Sequence, residues 1–119
     1  MRLSPELRER TKKFASMCIG LFIRLPRNRE EVDILAKQMI RAGTSVASHA
    51  REASRGRSDA EFCSKLDCLL QETDETQLWL ELLAEDCNIV DVELPIIHRE
   101  AGEIIAIFTT IVSRTRKNL

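Results

Sequence analysis

Tyrosine is missing from this sequence altogether, and its 119 residues include only one tryptophan and four phenylalanines. Any core must therefore be made mainly of Leu, Ile, Val and Ala. Turn formers are equally scarce, with four glycines and three prolines. A many-stranded β fold needs such residues after every short strand, so this composition excludes one. No Cys-x-x-Cys pair occurs. On helices, Cys63 and Cys68 lie about 140° apart, too far round for one metal ion. With Cys18 and Cys87 they read as reduced thiols, small core hydrophobes of a cytoplasmic protein. Glu-x-x-His, a glycine-rich phosphate loop and a nucleophile–base set are missing too. No catalytic residue, metal ligand, cofactor or small-molecule substrate is therefore expected.

A long apolar run is also lacking. Phe14 to Ile23, preceded by Arg8, Arg10, Lys12 and Lys13, has the outline of a signal peptide. Glu6 and Glu9 break its basic stretch, however, and Arg24-Leu25-Pro26-Arg27 follows with no small-residue cleavage site. It falls short of the roughly 20 residues a bilayer span needs. It reads as a buried helix, with no membrane partner.

What is present is helical periodicity. Ser4-Pro5-Glu6 is a good helix start, and Phe14, Cys18, Leu21 and Leu25 recur at helical spacing until Leu25-Pro26 ends the helix. Asn28-Arg29-Glu30-Glu31 has the form of a capping box. Val32, Leu35, Met39, Ala42, Val46, His49 and Ala53 then hold a three-four seam, flanked by small Ala36, Gly43, Ala47 and Ala50, and Gly56 is placed to stop the helix. Ser58-Asp59-Ala60-Glu61 is a second capping box. It opens a seam of Phe62, Leu66, Leu69, Thr73, Thr76, Leu80, Leu83 and Cys87, ending near Asp86 to Asn88. A fourth helix starts around Asp91 to Leu94 with the seam Leu94, Ile97, Ala101, Ile104, Phe108 and Ile111; Ile105 and Val112 add a second apolar row. Short links favour antiparallel neighbours. The expected fold is all-α, an antiparallel up-down-up-down four-helix bundle in one domain over residues 1–119.

The near-neutral total charge hides a split. Residues 1–57 hold thirteen Lys/Arg against six Asp/Glu, whereas residues 58–113 hold two against thirteen. The basic half can neutralise the acidic half inside one bundle, meet the acidic surface of a neighbouring copy, or bind nucleic acid. For the last, the candidate contacts are Arg51, Arg55 and Arg57 near the second turn, and Arg24, Arg27 and Arg29 near the first. In an antiparallel bundle these clusters lie at opposite ends.

Beside the apolar seam, Gln38, Arg41, Ser45, Ser48 and Glu52 repeat at three-four spacing, matched on the third helix by Lys65, Cys68, Glu72, Glu75 and Trp79. Gln38, Arg41, Ser45, His49, Glu52, Glu72 and Glu75 are read as a polar network, with Arg41 pairing a glutamate of the third helix, bidentate if geometry allows. Two glutamates one turn apart near His49 also admit a carboxylate metal centre, which the missing Glu-x-x-His disfavours. Trp79, Ile105 and Val112 are candidate interface residues, since surplus apolar surface points to self-association.

The segment from Gln38 through Arg41, Ser45 and His49 to Glu52-Ala53, with Phe62 and the stretch Glu72-Thr73-Asp74-Glu75-Thr76-Gln77-Leu78-Trp79-Leu80, resembles the four-helix-bundle proteins encoded in intervening sequences of 23S ribosomal RNA. His49 stands where that pattern has Asn, and Arg51 where it has a small residue. The resemblance implies a bacterial, cytoplasmic bundle forming a homopentamer. It extends to the accessory variability protein of diversity-generating retroelements, which implies an RNA or ribonucleoprotein partner. The resulting expectation is a non-enzymatic, homo-oligomeric binding module. The competing expectation is a structural scaffold without a nucleic-acid role.

Overall fold

The structure, a computed structural model, describes residues 2–119 and contains four helices and no strand among them. These are α1 (Pro5–Arg24), α2 (Glu30–Ser54), α3 (Asp59–Glu85) and α4 (Leu94–Arg116). Each runs against its predecessor. α2 packs most extensively on α3, α1 packs on α2 and α4 on α3, while α1 and α4 meet over only a short stretch. The resulting bundle measures 48 × 21 × 19 Å.

The start of α1 follows the sequence reading: Leu7 N–H donates to the Ser4 hydroxyl, and Pro5 occupies the first turn. Ser58 caps α3 in the same way, accepting from Glu61 N–H at 3.1 Å, but the Glu61 carboxylate turns to Arg57 and does not complete a capping box. The box expected at Asn28 does not form. Arg29 N–H donates to the Pro26 carbonyl, so Asn28 is used in a turn and α2 begins one residue later, at Glu30. Its positive end is met by Glu30, Glu31 and Asp33. Asp91 is a cap that pattern reading did not single out. Its Oδ1 accepts from the N–H groups of Glu93 and Leu94 at 2.9 and 3.2 Å.

The seams of α1, α3 and α4 form the core as expected, except that Ile111 is half-buried while Val112 faces inward. In α2 the buried line is shifted. Leu35 and His49 are half-buried, and the small residues Ala36, Gly43 and Ala50 lie inside. The reason is that α2 has two neighbours, and its small-residue stripe is where α1 closes on it. A Cβ on Gly43 would stand 2.5 Å from Cys18 Sγ, so only glycine permits this approach. Gly56 acts similarly: it has no positive φ, and a Cβ there would come within 3.0 Å of the Ala53 carbonyl. The four thiols are free, and burial pushes the Cys18 thiol up to about 12. No helix among the described residues is long and apolar enough to cross a membrane.

Candidate nucleic-acid interface

Antiparallel packing sets the first half of α1 beside the last half of α2. Between them lies a groove of about 790 Å³. One wall carries Pro5, Arg8, Glu9, Thr11 and Lys12; the other carries Ala47, Ser48, Arg51, Glu52 and Arg55. Above it the helices are clamped by the Gly43–Cys18 contact. At the bundle end the N-terminal segment straps α1 to α2, with Arg2 N–H donating to the Ser54 carbonyl at 2.9 Å and Leu3 buried. The Arg2 guanidinium continues the strap to the Gly56 carbonyl, the Asp59 carboxylate and the face of Phe62. Thr11 sits in the floor, its hydroxyl donating back to the Arg8 carbonyl at 2.9 Å.

The groove's charge follows from what the rest of the bundle consumes. Arg10 donates twice to Glu100, at 2.7 and 2.8 Å, and once to Glu103. Arg24 donates twice to Asp91 and approaches Glu93 at 3.5 Å. Arg41 bridges Glu72 and Glu75 across α2 and α3, and Arg116 pairs with Asp67. Among the described residues, five of the thirteen cations of the basic half, Arg2, Arg10, Arg24, Arg41 and Arg57, thus pair with carboxylates of the acidic half within one chain. Among the described residues, Lys12, Arg51 and Arg55 make no ion pair. Facing them are two carboxylates, Glu9 and Glu52. Glu52 is already held by Lys65 at 3.0 Å and by His49 at 3.0 Å, contacts that hold its carboxyl below the usual range, the Lys65 bond most of all.

The two arginine clusters therefore differ. At the first turn Arg24 is bound to carboxylates, Arg27 lies 4.0 Å over the Phe22 ring, and Arg29 donates to Glu31 and to the Cys87 carbonyl. At the second turn Arg51 and Arg55 are exposed in the groove, and Arg57 touches Glu61 only at 3.5 Å. Arg8 and Lys12 join that cluster from α1. They stand four residues apart, as Arg51 and Arg55 do, and this shared spacing was the available signal.

The polar stripe splits in two. Arg41 reaches Glu72 and Glu75 at 3.6 and 3.7 Å, a bridge between two carboxylates and not a bidentate pair on one. Desolvation, then the hydrogen bond and repulsion from Glu72, push the Glu75 carboxyl up. His49, Glu52 and Lys65 form the second cluster. Between them Ser45 donates to its own helix at the Arg41 carbonyl, and Gln38 is exposed. Among the described residues no group of three or more His, Cys, Asp or Glu is arranged to hold a metal ion. His98 Nε2 lies 2.8 Å from the Glu81 carboxylate.

Of the three residues read as interface, Val112 is buried in its own bundle, Ile105 is half-buried, and Trp79 packs against the core with its indole N–H buried and without an acceptor among the described residues. The exposed aliphatic side chains lie elsewhere. Ile19, Ile23, Ile34, Leu78, Val90, Val92 and Ile96 lie toward the end of the bundle away from the basic groove, and Leu119 alone follows α4 at the groove end.

The structure is that of a four-helix bundle with a cation-lined groove toward one end and exposed aliphatic side chains toward the other. The family model of the 23S rRNA-intervening sequence proteins matches residues 6–110, and the chain belongs to that family. It is similar to the crystal structure of a protein of unknown function from the S23 ribosomal protein family of Bacteroides thetaiotaomicron. The two share 31% identity over 89% of this chain and 97% of that one, with a TM-score of 0.80. No curated protein matches the chain.

Proposed function

We propose that this chain is a non-enzymatic binding module that holds structured RNA, bare or in a ribonucleoprotein, through the groove between α1 and α2. On this reading it works as a homo-oligomer in the bacterial cytoplasm, a compartment that suits four free thiols. One observation carries the reading: among the described residues Lys12, Arg51 and Arg55 make no ion pair and share one groove, while Arg2, Arg10, Arg24, Arg29 and Arg41 are all engaged. Such a site supplies phosphate contacts, whose affinity falls with salt as counterions are released. The test is binding of structured fragments of 23S ribosomal RNA across a salt series. Three phosphate contacts give a log–log slope of roughly −2 to −3. Arg51→Glu with Arg55→Glu should weaken binding at least tenfold. No salt-sensitive binding at low ionic strength removes the proposal.

A second reading, a self-assembling scaffold without nucleic acid, is favoured by the seven aliphatic side chains exposed at the far end. Five copies is the number favoured by the resemblance to pentameric bundles. Light scattering decides: a single-chain mass at high concentration excludes self-assembly on either reading.

A further inference from the structure

We infer that the groove takes a base-paired RNA stem, gripping the phosphates of both strands, and not a single strand. This rests on the RNA-binding reading above and specifies its ligand.

The first argument is what the groove does not offer. Proteins that hold single strands stack unpaired bases on aromatic side chains set beside the cations. No aromatic residue lines this groove. Phe14, Phe62 and Phe108 are buried, and Phe22 lies under Arg27 near the other end of α1. Trp79 belongs to α3, which does not border the groove. Asn and Gln, the side chains that read adenine edges, are also missing from the lining. What remains is a backbone reader.

The second argument is the layout of charge. Arg8 and Lys12 form one row, and Arg51 and Arg55 form another across the groove. Within each row the cations are about 6 Å apart along the helix axis, at four residues of 1.5 Å rise. The rows sit on helices whose axes pack about 8–10 Å apart. Two facing rows suit two strands that flank the shallow minor groove of an A-form stem, the shape by which duplex RNA is recognised. A lone strand would engage one row and leave the other idle. Ser48, exposed on the α2 wall, offers a hydroxyl to the ribose 2′-OH groups that line that groove.

The third argument is rigidity. Both rows stand on helices clamped by Gly43 against Cys18 and by the Arg2–Leu3 strap. A preformed site loses less on binding a preformed duplex than on ordering a flexible strand.

The experiment measures fluorescence anisotropy of a labelled hairpin with a stem of about 16 base pairs, against an unstructured RNA of equal length, at several salt concentrations. The stem is expected to bind at least tenfold more tightly, with little dependence on its sequence. Arg51→Glu/Arg55→Glu and the milder Arg51→Gln/Arg55→Gln should each weaken stem binding, with circular dichroism reporting that both remain folded. Equal or tighter binding of the single strand overturns this inference and leaves RNA binding standing. Stem affinity unchanged in both folded variants overturns the groove as the site. Binding of neither RNA overturns the underlying reading.

Discussion

Gly43 and Cys18 set how closely α1 approaches α2. A methyl group at Gly43 would meet Cys18 Sγ at 2.5 Å and Cys18 Cβ at 2.9 Å, and neither atom can retreat, because Cys18 is fully buried. Gly43→Ala should therefore cost about 2–3 kcal/mol, an overpacking penalty larger than alanine's gain in helix propensity. Urea unfolding measures it. Combined with Cys18→Ala, which removes the sulfur, part of the loss should return, giving a non-zero interaction term in the double-mutant cycle. Strict additivity would show that the contact is not the cause. Glu75 poses an electrostatic version of the same question. Its carboxyl is pushed up by burial and by Glu72, so its charged form opposes folding above that raised pKa, and the opposition vanishes once acid has protonated it. Glu75→Gln should raise the thermal midpoint by about 2 °C at pH 7, a small effect because solvent screens a side chain 35% exposed. The advantage should disappear by about pH 4, near the ordinary glutamate value. At this scale the sequence was partly legible. Arg41 and the two glutamates stood out by their spacing beside the core. Gly43 was visible as one of a small-residue stripe, but nothing in the pattern said that Cys18 would press on it, because that depends on the register between two helices.

Helix ends were legible wherever a serine did the capping and illegible where distant residues did. Ser4 and Ser58 cap as their positions foretell. Asn28 does not, because Arg29 N–H reaches the Pro26 carbonyl and the chain turns through Asn28 first. The start of α4 depends on Asp91, which caps two N–H groups with Oδ1 and takes both Arg24 hydrogen bonds. Its arginine partner lies 67 positions away, beyond any local motif. Asp91→Ala should cost about 1–2 kcal/mol from the lost cap, with the Arg24 pair adding a smaller amount because Arg24 is exposed. Arg24 first, and then the backbone N–H groups of Glu93 and Leu94, hold the Asp91 carboxyl below its usual value, against desolvation. The stabilisation is therefore complete above about pH 4, the unfolded aspartate value, and is lost as pH falls through the depressed folded pKa. Urea midpoints of wild type and variant should be well apart at pH 7 and converge toward pH 2. A gap that persists undiminished in acid would assign the loss to packing and not to the carboxylate.

Seen whole, the molecule divides its surface between its two ends. The end at the α2–α3 turn carries Lys12, Arg51 and Arg55 of the groove, while the end at the α1–α2 and α3–α4 connections exposes Ile23 at 71%, Val90 at 99% and Val92 at 86%. At that aliphatic end Arg24 and Arg29 are tied to carboxylates and Arg27 lies over the Phe22 ring. If copies associate through the aliphatic end and RNA lies along the groove, the two properties are separable. Ile23→Ser, Val90→Ser and Val92→Ser together remove aliphatic surface that is already in water and contributes little to the core, so the fold should persist. Light scattering should then report a smaller mass. Affinity for a stem that fills one groove should be unchanged, because every cation remains in place. Affinity for a long RNA offering several stems should fall tenfold or more, since linked grooves raise the effective concentration of each for the next contact. A triple variant of wild-type mass would show that copies meet through another face. A triple variant that loses affinity for the single stem would show that the two ends are coupled, and that assembly helps to build the groove as well as to multiply it.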